Sequence, residues 1–186
     1  ILALYTNTLT VLIGAIGFID YVALYAISKR KSVYGTLVGT VSGATPPVAG
    51  YVAVTGTFDV GALLIFIVMV FWQMAHFYAI AIFRAKDYKA AHIPVLPVSS
   101  NVNATKKQIY VFIVLFTLAA LTMPLMGYGS IIVSFIVLGT GVYWLYVALV
   151  SGSKTSSIIW AKRVFRISLM ALLAFCAMLA AGPWLV

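Results

Sequence analysis

The sequence predicts an all-α, polytopic transmembrane helical bundle. Three observations carry that prediction: an extreme apolar composition, six stretches long enough to cross a bilayer, and basic residues confined to alternate connections. Hydrophobic residues make up 64% of the 186-residue chain and charged residues 8%, with a mean hydropathy of +1.13. A soluble domain carries roughly 45–50% apolar and about 25% charged residues, so most of this surface must meet lipid. A spanning helix needs roughly 20 mostly apolar residues, and residues 4–28, 33–55, 58–83, 108–126, 128–150 and 158–185 each qualify.

The first span is interrupted only by Asp20 and ends at Lys29, Arg30 and Lys31. An ionisable group inside a span is a functional hypothesis by default. Arg166, at comparable depth in the last span, is its expected partner, the alternative being a carboxyl bonded to a neighbouring hydroxyl. Tyr25, Lys29 and Arg30 form a Tyr-x-x-x-Lys-Arg unit. Two fixed cations at a helix end hold a diphosphate by charge-assisted hydrogen bonds, and Tyr25, one turn earlier, points at the same group. The competing reading is that these cations only set topology.

In the second span Gly35, Gly39 and Gly43 recur at four-residue spacing, a small-residue face expected to let a neighbouring backbone approach. Pro46 and Pro47 remove two amide donors and predict a kink, which serves either a cavity or plain bundle geometry.

The third span carries most of the chemistry. Gln73, His76, Ile80, Arg84 and Asp87 follow one another at three- or four-residue steps, so a continuous helix stacks them along one side. A polar stripe in lipid is expensive and is expected to face a cavity. His76 is either a hydrogen-bonded structural residue, a general acid or base, or an axial ligand to a haem iron.

The connection 84–107 follows. Asp87 is its only acidic residue, either a salt-bridge partner of Arg84, Lys86 and Lys89 or a ligand to Mg²⁺, an ion commonly held by one or two carboxylates plus substrate phosphates. His92 reads as a solvated or helix-terminal residue. Pro94 and Pro97 predict an extended chain suited to a lid or re-entrant segment.

The last three spans are apolar helices; Cys176, the only cysteine, excludes an intrachain disulfide and reads as helix packing. With alternating spans all 12 basic residues, Lys154, Lys162, Arg163 and Arg166 among them, fall on one side. That side is expected to be cytoplasmic by the positive-inside rule, with the bare turns 55–57 and 127–128 opposite. This distribution argues against nucleic acid as the partner of a chain with net charge +9. Neither a linker nor an internal repeat divides the sequence, so one bundle is expected. The first residues already belong to a span and no signal-peptide pattern precedes them, so the chain reads as part of a longer protein.

Four ordered segments carry a resemblance. Lys29-Arg30 with Ser32-Val-Tyr-Gly-Thr-Leu-Val-Gly39, Ser42-Gly-Ala-Thr-Pro-Pro-Val-Ala-Gly50, Trp72-Gln-Met-Ala-His76 and Asp87-Tyr-x-x-Ala-x-Ile-Pro-Val-Leu-Pro-Val98 together resemble the protohaem IX farnesyltransferases, within the intramembrane aromatic prenyltransferase superfamily. The resemblance implies a bundle of about nine spans around a lipid-accessible cavity, of which residues 1–186 look like helices four to nine, the C-terminal two-thirds of one domain. It implies transfer of farnesyl from farnesyl diphosphate to a vinyl group of haem B with addition of water, Mg²⁺ accompanying the diphosphate, in the bacterial inner membrane. Membrane lipid, haem A synthase or a terminal oxidase assembly are the further partners implied.

On that resemblance Lys29, Arg30 and Asp87 hold diphosphate and metal, and Arg84 and Lys86 bind diphosphate or haem propionates. Tyr25, Trp72 and Phe83 line the isoprenoid or porphyrin surface, Gln73 and Tyr88 complete the substrate-binding set, and His76 contacts haem. The family's first Asn and Asp cluster is missing from these residues, so this stretch alone is expected to be inactive. Ala91 stands where the quinone branch has a second Asp, and Ala75 where the family has Pro. A quinone-type prenyltransferase and a transporter or channel subunit using Asp20 and Arg166 are the alternatives.

Overall fold

Asn7 opens the first spanning helix by accepting the Thr10 N–H on its side-chain oxygen at 2.9 Å, which satisfies one of the donors that every helix start leaves free. The computed structural model describes residues 2–151 and 155–182, so Ile1, Lys154 and the end of the sixth predicted span, including Leu185, lie outside the described residues. Among the described residues six helices are long and apolar enough to cross a membrane: α1 (Thr8–Lys31), α2 (Gly35–Thr55), α3 (Val60–Phe83), α4 (Val102–Leu125), α5 (Ile131–Ser151) and α6 (Ser157–Ala181). They match the six predicted spans in number and order.

The ends show what sequence hydropathy cannot place. Helix α2 stops at Gly56, whose φ of 73° is the left-handed conformation that glycine adopts without a Cβ penalty. Helix α4 begins six residues before the expected position 108, because Asn101 caps it through the Ala104 N–H at 2.7 Å. Its first turns therefore carry Lys106 and Lys107 as helix rather than loop. The segment expected to run extended through Pro97 instead forms a short helix, Leu96–Ser99, with Pro97 in its first turn. A missing N–H costs nothing there, since it would have no helical acceptor.

Helices α3, α4, α5 and α6 pack in sequence, and α6 returns to α3, closing a four-helix bundle. Ile113, Phe116, Trp144, Trp160 and Phe175 are fully buried within it. Helix α2 lies against α3 outside this ring, and α1 packs on α2. Two glycines let α1 and α2 meet. A Cβ at Gly17 would sit 2.7 Å from Thr45 Oγ1, and one at Gly35 would sit 2.7 Å from the Lys29 Cα, both inside van der Waals contact. The packing expected of the glycine face is thus confirmed at Gly35.

Asp59 ties the opposite end together. It accepts the Ala62 N–H at 3.1 Å as the cap of α3 and the Tyr51 hydroxyl of α2 at 2.9 Å. The Ala62 N–H is the main reason that its carboxyl lies below the ordinary value. A depressed folded-state pKa means that the stabilisation is complete above the ordinary carboxylate range and is lost as pH falls through the lowered value. Asp59→Asn is therefore expected to unfold at a lower temperature than the parent at neutral pH, with the gap closing in acid; thermal unfolding in detergent across pH checks this.

Candidate active site

A cavity of about 570 Å³ opens between α1, α2 and α3. Tyr21, Tyr25 and Lys29 recur at four-residue steps along α1, so they share the face turned to it. Tyr25 stacks on Tyr21 at 5.8 Å, and the Lys29 ammonium lies 5.4 Å from the Tyr25 ring centroid. Thr36, Gly39, Ser42 and Gly43 form the α2 wall, and Gln73, Phe77, Ile80 and Ala81 the α3 wall. Tyr88, Ile93 and Val95 cover the mouth from the segment after α3. A second recess of about 730 Å³ shares Tyr21, Tyr25, Lys29 and Ile93 with the first and adds Arg30 and His92. Lys29 thus serves both, at the end of the bundle where the basic residues lie.

The glycines of α2 do more than pack helices. A Cβ at Gly39 would lie 2.8 Å from the Tyr25 ring, and one at Gly43 would collide with the Gln73 amide. Both absences make room for side chains that line the cavity, which spacing alone could not distinguish from backbone packing. Within α1 the residues Asp20–Tyr25 wind as a π-helix, a local departure that recurs at functional sites. Asp20 is 5% exposed and accepts the Ser42 N–H at 3.1 Å.

This corrects the expected pairing with Arg166. Helix α6 packs on α3 and α5, not on α1, and Arg166 is exposed on it. Asp20 fastens α1 to α2 instead.

The stripe on α3 divides. At about 100° per residue, His76 lies roughly 60° round the helix from Gln73 while Phe77, Ile80 and Ala81 bracket Gln73. Gln73 and Ile80 therefore reach the cavity, whereas Trp72, His76 and Phe83 turn toward α6. Trp72 donates its indole N–H to the Ser168 carbonyl at 2.7 Å. His76 is 8% exposed, sits between the Trp72 and Phe165 rings at 4.7 Å each, and meets the Ser168 hydroxyl through Nδ1 at 2.7 Å. The Ser168 proton already serves the Phe165 carbonyl at 2.6 Å, so hydrogen-bond counting assigns the donor role to His76 Nδ1–H. Phe83 meets Phe165 edge-on at 5.7 Å.

The expectation that His76, Trp72 and Phe83 face the cavity is corrected: the α3–α6 seam takes all three. His76→Ala is expected to cost roughly 2–4 kcal/mol of stability through lost packing and an unpartnered Ser168 hydroxyl, with turnover per folded molecule retained. Unfolding and activity measured on one preparation separate the two effects.

Arg84, Lys86 and Asp87 are exposed around the short helix Ala85–Ala90 and line neither recess. Arg84 donates to Asp87 at 2.9 Å, with side chains 63% and 64% exposed. Tyr88, the next residue, does reach the cavity mouth. Among the described residues no three His, Cys, Asp or Glu side chains cluster as metal ligands. Tyr21 and Phe77 join the site without having been singled out in the sequence, although Tyr21 shares the four-residue step of Tyr25 and Lys29.

The UbiA prenyltransferase family's sequence profile matches residues 1–170. The chain belongs to the UbiA prenyltransferase family. A curated relative named protoheme IX farnesyltransferase, from Yersinia pseudotuberculosis serotype O:1b (strain IP 31758), is 45% identical over 175 residues, covering 94% of this chain and 59% of the relative. Another of that name, from Photorhabdus laumondii subsp. laumondii, is 46% identical over 179 residues, covering 95% and 60%. The chain therefore spans about three-fifths of the length of these relatives. No solved structure matches it.

Proposed function

We propose that the full-length protein transfers farnesyl from farnesyl diphosphate to a vinyl group of haem B, with addition of water, in the bacterial inner membrane with its basic end cytoplasmic. The observation that carries this is the position of Lys29, at the head of a cavity whose walls include Phe18, Tyr21, Tyr25, Phe77 and Ile80. A prenyl diphosphate has the same polarity, an anionic head on an apolar chain. The names of the relatives supply the porphyrin acceptor.

In this mechanism Lys29 and Arg30 stabilise the diphosphate as the allylic C–O bond breaks and negative charge gathers on the leaving group. The apolar walls keep bulk water from the allylic cation, and the Tyr21, Tyr25 and Phe77 rings offer it their negative faces. Tyr88 covers the head group. Trp72, His76 and Ser168 hold α6 against α3 and fix the rear wall rather than touch the reacting atoms.

Asp87 precedes Tyr88, which lines the cavity. The Asp87 Oδ2 accepts from Arg84 at 2.9 Å; Asp87 would hold a Mg²⁺ arriving with the diphosphate, an ion commonly bound by one or two carboxylates together with substrate phosphates. When bound, Mg²⁺ neutralises charge on the diphosphate oxygens. Asp87→Asn is expected to cost roughly 0–1 kcal/mol of stability, as an exposed pair does, and to lower turnover most at limiting Mg²⁺. Unchanged turnover there would leave Asp87 as the partner of Arg84 only. The function itself is tested by incubating the full-length protein with haem B and farnesyl diphosphate: mass spectrometry is expected to find haem O, and recovery of haem B alone would refute the assignment.

A further inference from the structure

Polar atoms deep in an apolar cavity are costly unless something hydrogen-bonds them. Gln73 is 3% exposed and lines the cavity over Gly43. Its Nε2 reaches the Thr40 carbonyl at 3.4 Å, a long bond. Its Oε1 takes no donor among the described residues yet is not sealed from the cavity. Facing it, Ser42 and Gly43 also line the wall. Their carbonyls look for helical donors four residues on, at Pro46 and Pro47, which have none.

The local donors are already committed. The Ser42 hydroxyl donates to the Gly39 carbonyl at 3.0 Å, and the Ser42 N–H to Asp20 at 3.1 Å. The Gln73 Oε1 and the two carbonyls that lose their i+4 donors to proline thus belong to residues lining one stretch of the cavity wall, eight residues or about 12 Å down α3 from Ala81 near the mouth. A water molecule has two hydrogens to give and serves two of these three acceptors at once.

We propose that Gln73, with the Ser42 and Gly43 carbonyls, holds the water molecule that becomes the hydroxyl group of the product. The inference rests on the farnesyl-transfer reading of this cavity. As the allylic C–O bond breaks, the diphosphate leaves with the bonding pair. The vinyl π pair then forms the new C–C bond, and the positive charge passes to the vinyl carbon attached to the porphyrin. Both hydrogens of the held water point at acceptors, so its lone pair faces outward. That pair closes on the cation as the new C–O bond, and the oxonium so formed gives up one proton to solvent. Without a held water the same cation loses a proton from the neighbouring methylene to diphosphate, and the product is an alkene lighter by one water.

Gln73 acts through the water and is a positioning residue. Its signature is a product ratio, which does not depend on how much enzyme is folded. The full-length protein is given haem B and farnesyl diphosphate in water enriched in ¹⁸O, and hydroxylated and dehydrated products are separated by mass. Gln73→Leu is expected to raise the dehydrated share at least tenfold. Gln73→Glu, which keeps an acceptor at the same reach, is expected to preserve the parent ratio. Pro46→Ala returns a donor to the Ser42 carbonyl and is expected to raise the dehydrated share independently. A parent-like ratio in Gln73→Leu, or in Pro46→Ala should Gln73→Leu not accumulate, overturns the inference and leaves the farnesyl-transfer reading standing. A parent protein that makes neither product refutes that reading, and this inference with it.

Discussion

Lys29→Gln in the full-length protein is expected to raise the farnesyl diphosphate concentration needed for half-maximal turnover by roughly 10- to 100-fold. Hydrogen bonds to charged groups are worth about 1.5–3 kcal/mol, and each 1.4 kcal/mol is a factor of ten. Lys29 is the cation common to both recesses, its ammonium lying against the Tyr25 ring at 5.4 Å. Lys31, two residues on, is exposed and lines neither. Lys31→Gln removes the same charge from the same helix end and is expected to leave the concentration dependence unchanged. If the Lys-Arg-Lys run serves topology alone, the two variants will behave alike, and steady-state kinetics across both decides the matter.

Gly39→Leu is expected to reduce turnover by about 100-fold, equivalent to ~2.7 kcal/mol of barrier. Even the first carbon of a side chain at this position would come within 2.8 Å of Tyr25, so that ring, which lines the cavity, must shift. Gly50 is the matched control. It lies on the same helix with nothing within 4 Å of the place its Cβ would take, so Gly50→Leu is expected to keep parental turnover. Equal losses in both would mean that leucine merely disturbs α2, whereas a loss confined to Gly39→Leu ties activity to this space.

Helix number, order and membrane class were legible because hydropathy and basic-residue placement are averages over many side chains, and no single contact decides them. The Lys29 face was legible for a related reason: Tyr25 and Lys29 are one turn apart, and helical periodicity alone puts them together. The α3 stripe was not. Three- and four-residue steps alternate to either side of a true 3.6-residue turn, so Gln73 and His76 share a broad face yet fall on opposite edges of it. Which edge meets a cavity depends on where α2 and α6 dock. Ser168, which receives both Trp72 and His76, lies more than ninety residues away in the chain, so local periodicity could not indicate it. The Asp20 partner failed similarly, since depth in the bilayer says nothing about which helices are neighbours.

The most direct test of the α1–α2–α3 cavity as the prenyl site is photolabelling of the full-length protein with a farnesyl diphosphate analogue that carries a photoreactive group on its chain, followed by peptide mapping. Adducts are expected on Phe18, Tyr21, Tyr25 or Phe77, and excess farnesyl diphosphate is expected to suppress them. Competed adducts on the α3–α6 seam around Trp72, His76 and Phe165, with none on α1, would contradict the assignment.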